Sequence, residues 1–308
     1  MKQIKTELLL GLTALIWGVA FVAQSVGMDY LGPFTFNCIR NLIGGIVLIP
    51  CIFFLDKMNP KVPETKIPIT KKITKKLIIG GVCCGICLGL ASNLQQVGMM
   101  YTTVGKAGFI TALYIIIVPV LGIFLRKKVA ASVWISVGIA TIGMYLLCIT
   151  ENFSIGKGDI LMFLCAIIFS IHILVIDHFS TYVDCVRMSC IQFFVCGLIS
   201  GIGMFLVETP NLASILACWA PLLYAGVLSS GVAYTLQIIA QKDTDPTIAS
   251  LILSLESVFA LIGGWIILGQ TLDLKELIGC GLVFIAILLA QLPKRSILEQ
   301  KKETFISD

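Results

Sequence analysis

Along this chain, apolar and polar positions fall into long blocks instead of alternating. Continuous apolar runs occupy roughly 7–27, 33–55, 76–98, 103–125, 130–149, 158–177, 188–207, 213–241, 247–269 and 275–292. About 20 residues is the length an α-helix needs to cross a hydrocarbon core ~30 Å thick. The period-two alternation of a membrane barrel is absent, so the pattern predicts an all-α integral membrane protein with ten transmembrane helices. The polar connections are short. The longest, Asp56 to Lys75, is a Lys- and Pro-rich loop without apolar periodicity.

The pattern also repeats. The stretch from Gly89 to Gly122 returns without a gap 142 positions later, with Gly89/Gly231, Ala91/Ala233, Leu94/Leu236, Gln95/Gln237, Ala107/Ala249, Leu113/Leu255 and Gly122/Gly264 among its nine identities in 34 positions. Shared apolar composition alone would yield roughly three. Five spans per copy is an odd number, so the second copy enters the membrane from the opposite side. The expectation is two inverted five-helix repeats, 7–149 (spans 1–5) and 158–292 (spans 6–10). Inverted repeats with a site between them are a common architecture of secondary transporters.

Composition and charge narrow the class. The chain is 58% hydrophobic and 13% charged, with a mean hydropathy of +1.00, too apolar for a soluble domain of this length. Its net charge of +5 would suit nucleic acid, but the distribution argues otherwise. With the N-terminus placed in the cytoplasm, 18 of the 22 Lys and Arg fall on cytoplasmic segments: Lys2, Lys5, seven Lys from Lys57 to Lys76, Arg126–Lys128, Arg187, Lys242, Lys294, Arg295, Lys301 and Lys302. This positive-inside pattern implies both termini in the cytoplasm of a plasma or inner membrane. The partners expected are therefore the lipid bilayer and a small-molecule substrate, with no nucleic acid.

The N-terminal Met-Lys-Gln-Ile-Lys followed by apolar residues is similar to a signal peptide, but the run is too long and lacks a small-x-small site, so it reads as the first span. The twelve Cys are scattered through the spans, which argues against a disulfide framework. Cys84 and Cys87 have CxxC spacing with Cys83 beside them, yet no second pair or nearby His completes a metal set, so they read as packing residues. Asn152-Phe153-Ser154 fits a glycosylation sequon. No phosphate-binding G-x-x-x-x-G-K-[ST] motif, HExxH, GxSxG or paired-carboxylate motif is present, and nothing calls for a cofactor or a metal. Gly156-Lys157-Gly158-Asp159 matches a GxGD protease string, but a helix start with Asp159 against the dipole explains it more simply.

Ionisable groups inside spans are costly and therefore point inward or pair. Arg40 sits in the second span beside Asn37 and Asn41, and Glu256 sits in the ninth. Glu256 can be read as a proton- or cation-coupling carboxylate, or as a structural partner for Arg40 or a polar side chain. For Arg40 the neighbouring amides favour a structural role. Other polar and aromatic residues recur at one-face spacing: Trp17, Phe21 and Gln24 in the first span, Asn93, Gln96 and Met100 in the third, Thr111 and Tyr114 before Pro119 in the fourth, His172 in the sixth, and Tyr234, Gln237 and Gln241 in the eighth. Singly, each suits an interhelical hydrogen bond or an interfacial ring. Together they would line a substrate cavity with aromatic walls and orienting amides, and Pro119 would permit a kink. Gly81, Gly85 and Gly89 in the third span and Gly197 and Gly201 in the seventh form small-xxx-small ladders suited to close packing within the bundle or in a homodimer. The fifth and tenth spans, nearly free of polar residues, read as peripheral.

Leu15-Ile16-Trp17-Gly18-Val19-Ala20-Phe21 resembles the LWG-x-x-F opening of EamA-type members of the drug/metabolite transporter superfamily. Tyr114 to Pro119 resembles that family's YxxxxP stretch. Leu255-Glu256-Ser257-Val258-Phe259-Ala260 followed by Leu268-Gly269-Gln270 resembles its LEPVFA…LGE, and Arg40 falls on its second-helix Arg. The first-span signature returns weakly in the sixth, with Ala14, Trp17 and Gly18 facing Ala166, Phe169 and Ser170. The resemblance covers nearly the whole chain as two EamA repeats and departs at Ser257 for Pro and Gln270 for Glu. It implies a central cavity lined by helices 1, 3, 4, 6, 8 and 9, and ATP-independent movement of small metabolites, often outward, possible amino acid-like or drug-like cargo included. A membrane sensor or assembly protein would need an output domain or large exposed loop, and an intramembrane hydrolase a facing nucleophile and base; the sequence offers neither.

Overall fold

The computed structural model describes residues 2–58, 71–102, 104–125, 129–148, 156–268 and 273–291. The Asn152–Ser154 sequon, Arg126–Lys128, Gln270 and most of the Lys- and Pro-rich loop lie outside the described residues. Those described form ten helical spans, with no strand among them. Seven are unbroken: Lys2–Gly27, Pro33–Met58, Lys71–Met99, Ala131–Cys148, Lys157–Ser180, Cys185–Val207 and Leu274–Gln291. The fourth, eighth and ninth are interrupted.

Local chemistry places several helix starts. The Asp184 carboxylate accepts from the Arg187 backbone N–H at 2.8 Å at the head of the seventh span, and Asp245 accepts from Thr247 N–H at 2.9 Å, with Pro246 in the first turn of the ninth. Both satisfy donors that the first helical turn leaves open. Asp159 accepts from Gly156 N–H at 2.7 Å and from the Thr102 hydroxyl at 3.1 Å, so the GxGD string serves as the N-terminal turn of the sixth span.

The interruptions correct two expectations. The fourth span breaks between Val104–Thr111 and Tyr114–Phe124, upstream of Pro119, and the second piece runs through that proline. The ninth breaks between Pro246–Leu253 and Leu255–Leu268, at the same repeat position and without any proline there. Thr111 and Leu253 are 142 residues apart, so the break belongs to the repeat and not to Pro119. In the ninth span the Ser250 and Ser254 hydroxyls donate to the carbonyls of Thr247 and Leu251, back-bonding of the kind that bends helices. The eighth span is not one rod from 213: Leu212–Ala217 is a separate short helix, and the span proper comprises Trp219–Leu223, an 11-residue π-helix Tyr224–Tyr234, and Thr235–Gln241. Pro221, which cannot donate a backbone N–H, sits just after the Cys218 junction.

Packing joins the two halves in reciprocal pairs. The first span packs on the ninth as the sixth packs on the fourth; the third lies against the sixth and seventh as the eighth lies against the first and second. The second and seventh pair with each other, and so do the fifth and tenth, whose outward faces carry Ile135, Ile142, Ile278 and Phe284. In the second–seventh pair the contacts are self-complementary at an offset of 152. A Cβ on Gly45 would lie 3.1 Å from the Phe194 ring, and one on Gly197 would lie 3.0 Å from Leu42. The ends match too. Glu208, at the foot of the seventh span, accepts from Phe34 N–H (2.9 Å), Thr35 N–H (2.8 Å) and the Thr35 hydroxyl (2.6 Å). At the opposite end its equivalent, Asp56, binds Arg187 at 2.6 Å.

Both glycine ladders are used inside the chain. Gly81, Gly85 and Gly89 receive Ile191, Val195 and Ile199 of the seventh span, while Gly197 and Gly201 face Leu42 and Cys38 of the second. A Cβ on Gly85 would lie 2.6 Å from Val195 and 2.8 Å from the Gln192 carbonyl, whereas one on Gly138 meets nothing within 4 Å. Gly85→Leu should therefore destabilise the bundle by about 1–3 kcal/mol through overpacking. Gly138→Ala should be neutral or slightly stabilising. Thermal unfolding of the detergent-purified variants checks both, and a Gly85→Leu protein as stable as wild type would contradict the packing described.

Candidate functional site

Where the interrupted spans meet, at the centre of the bundle, sixteen residues enclose a small cavity: Trp17, Ala20, Phe21, Gln24, Arg40, Gln95, Thr111, Tyr114, Phe169, His172, Ile173, Ser229, Tyr234, Gln237, Leu253 and Glu256. All except Trp17 are buried. The repeat organises this wall. Gln95/Gln237, Thr111/Leu253 and Tyr114/Glu256 are 142 residues apart, and Trp17/Phe169, Ala20/His172 and Phe21/Ile173 are 152 apart. These six pairs supply twelve of the sixteen lining residues.

Tyr114 and Glu256 touch. The Tyr114 hydroxyl donates to Glu256 Oε1 at 2.8 Å, so the one acid lining the cavity among the described residues is hydrogen-bonded to its own counterpart in the other half. Both side chains stand on the first turn after the break in their spans, which turns them inward together. Arg40 does not join them: Nη1 donates to Gln24 Oε1 at 2.8 Å, and no ion pair with Glu256 forms. The amides expected to surround Arg40 bond elsewhere, Asn37 Nδ2 to the Ser92 carbonyl and Asn93 Oδ1, and Asn41 Nδ2 to the Asn37 carbonyl.

Aromatic rings gather around Tyr234, which itself lies on the wall. Trp17 lies 4.5 Å from it centroid to centroid, Phe193 at 6.0 Å and His172 at 6.2 Å. Trp17 Nε1 donates to the Ser229 carbonyl at 3.4 Å, a group presented by the π-helical segment. His172 Nε2 is 3.1 Å from Gln192 Oε1, which leaves Nδ1 buried without a partner. Gln95 Nε2 donates to the Thr111 hydroxyl at 3.4 Å, while Gln237 Oε1 is buried and unpartnered. π-Helical turns inside α-helices are frequent at functional sites.

Of the ten residues expected to line a cavity, eight lie on its wall, Trp17, Phe21, Gln24, Thr111, Tyr114, His172, Tyr234 and Gln237, and so do Glu256 and Arg40, read from sequence as coupling or structural charges. Asn93 and Gln96 do not. Asn93 Oδ1 accepts from Asn37 and from the Ser200 hydroxyl at 3.1 Å, tying the third span to the second and seventh, and Gln96 Nε2 donates to the Gln24 carbonyl at 3.3 Å. Successive helical residues point about 100° apart, and the face that meets the cavity is the one carrying Gln95. The repeat alignment held that signal, since Gln95 is the identical counterpart of Gln237. Ser229 carried none, because nothing in its spacing announces a π-helix. Of the cysteines, Cys84 is packed among Ile176, Met188 and Ile238. Among the described residues, no three His, Cys, Asp or Glu side chains gather closely enough to hold a metal ion.

The cavity has a volume of about 30 Å³, room for about one water molecule, and carries one guanidinium and one carboxyl group on a partly polar wall. Comparison with known proteins agrees with a membrane carrier. The sequence model of the EamA-like transporter family matches residues 4–149 and 156–292. An uncharacterized transporter of Archaeoglobus fulgidus is 31% identical over 94% of this chain and 87% of its own length. The uncharacterized transporter YoaV of Bacillus subtilis is 24% identical over 87% of this chain and 90% of its own. A solved crystal structure covering 92% of this chain and 95% of its own superposes with a TM-score of 0.73 at 15% identity, a likeness of fold.

The Tyr114–Glu256 contact has a measurable signature. Tyr114→Phe leaves a buried carboxyl without its donor and should cost about 1–3 kcal/mol. In the double variant Tyr114→Phe/Glu256→Met the loss should be smaller than the sum of the single losses, because both changes break one interaction. Melting curves of the four proteins complete the cycle, and strict additivity would contradict the contact.

Proposed function

This chain belongs to the EamA-like transporter family, and from that premise we propose that it is a secondary transporter. It moves a small organic metabolite across the cytoplasmic membrane by alternating access, as an exporter or exchanger, with both termini in the cytoplasm. The observation that supports this most directly is the buried cavity walled by equivalent positions of two inverted repeats. When two halves are related by a two-fold axis in the membrane plane, exchanging their conformations turns an inward-open arrangement into an outward-open one. That exchange gives access from either side, and the direction of net flux is set by the gradient of cargo or coupled ion.

In this reading the cavity holds the cargo and Glu256 is the coupling group. A carboxyl that hydrogen-bonds across the repeat interface can exchange its proton when the cavity opens to one side or the other. Loss of the Tyr114 bond would then accompany opening, so occupancy and proton state act on one contact between the halves.

The test is counterflow in liposomes against a broad metabolite pool at two pH values. Wild type should accumulate label, with a rate that differs between the two pH values, and Glu256→Gln should abolish uptake or flatten that difference. Uptake unchanged in Glu256→Gln would keep transport and make the protein a facilitator or substrate exchanger. A protein that moves nothing from the pool, yet binds a protein partner, would replace transport with a sensing or assembly role.

A further inference from the structure

Arg40 lies within the second span, 3% exposed, on the wall of the cavity. Burying a guanidinium in a membrane protein is costly unless an anion or several acceptors compensate for its lost water. Arg40 has one neutral acceptor, Gln24 Oε1, and its Nε is buried with no partner. Among the described residues no carboxylate lies within 4 Å of it, and Glu256, the acid of the cavity, is engaged by Tyr114. Asn37 and Asn41 donate their amide N–H groups to other acceptors, and Asn37 Oδ1 is buried without bonding the guanidinium. Among the described residues Arg40 is thus a buried cation on the cavity wall with no carboxylate in contact.

We propose that Arg40 is an anion subsite, and that the molecule entering this cavity presents a single carboxylate to it. Naming that molecule as cargo rests on the transport reading; the subsite itself does not. The guanidinium fork accepts a planar carboxylate side-on through two parallel N–H donors. With Nη1 already bonded to Gln24, Nε and the remaining Nη donors are the ones left for it. One cation balances one negative charge, whereas a phosphate dianion would leave an uncompensated charge in a site of low polarity. The polar remainder of the molecule then meets two other unpartnered atoms, His172 Nδ1 and Gln237 Oε1.

The experiment uses the full chain and a cell metabolite extract in three forms: untreated, treated with phosphatase, and with its carboxylates capped as methylamides. Thermal stabilisation of the detergent-purified protein reports binding, and counterflow in liposomes reports transport. Untreated and phosphatase-treated extracts should stabilise wild type equally, and the capped extract should not. Arg40→Gln should lose that stabilisation and Arg40→Lys, which keeps the charge but not the fork, should retain a weakened form of it. Both variants are first checked for a single monodisperse species, and Arg40→Lys carries the test if Arg40→Gln fails to fold. The subsite is overturned if the capped extract binds as well as the untreated one, if phosphatase removes the effect, if no extract stabilises wild type, or if folded Arg40 variants respond like wild type. Stabilisation that depends on Arg40 without counterflow would leave the subsite standing and the transport reading fallen. Counterflow indifferent to capping and to Arg40 would do the reverse.

Discussion

The helices of this protein are held chiefly by the opposite half of the chain, and the cavity exists because of that exchange. First on ninth, sixth on fourth, third on sixth and seventh, and eighth on first and second are all contacts between repeats. Neither half would retain these partners alone. In lipid the hydrophobic effect gives little reason for two apolar helices to associate, so close backbone approach and interhelical hydrogen bonds must supply the cohesion. The glycine ladders provide the first and the clasps at Glu208 and Asp56 help provide the second.

The same exchange explains where polarity sits. Asn37, Ser92, Asn93 and Ser200 link the second, third and seventh spans away from the cavity, and their bonds are largely satisfied among themselves. Buried polar groups are normally bonded; the exceptions include Arg40, His172 and Gln237 on the cavity wall and, away from it, Asn37, Gln96, Gln192 and Gln241. Two-fold symmetry is relaxed at the wall: the third span is regular α-helix where the eighth carries eleven residues of π-helix, and only the eighth contributes Ser229 and Tyr234 to the wall.

Much of this was legible in the chain before its structure, for physical reasons. A bilayer imposes one length on every helix, so the ten spans follow from apolar run length. The repeat follows from identities such as Gln95/Gln237, the identical pair that also lines the cavity. Spacing chose Asn93 and Gln96, because a polar face toward a neighbouring helix and a polar face toward a cavity look alike in one dimension. The helix breaks carry no such signal: Pro119 permits a kink, but the fourth span is interrupted nearly two turns earlier, at the position where the ninth span is interrupted without a proline. The pairing of Glu256 with Tyr114 in place of Arg40 depends on which turn of each span faces the axis, and only packing decides that.

The Tyr114–Glu256 bond joins a position to its own image. Had this architecture been assembled from two identical five-helix chains, that position would have met itself across the axis, tyrosine against tyrosine or carboxylate against carboxylate, since a symmetric interface places the same residue on both sides. Neither pair sets a phenol hydroxyl against a carboxyl group. A tyrosine facing a glutamate at one point on the axis requires the two copies to differ, and joining them in a single polypeptide lets each copy change alone. The junction between the repeats is in this sense what lets one half carry a carboxyl and the other its donor at the centre of an otherwise two-fold bundle.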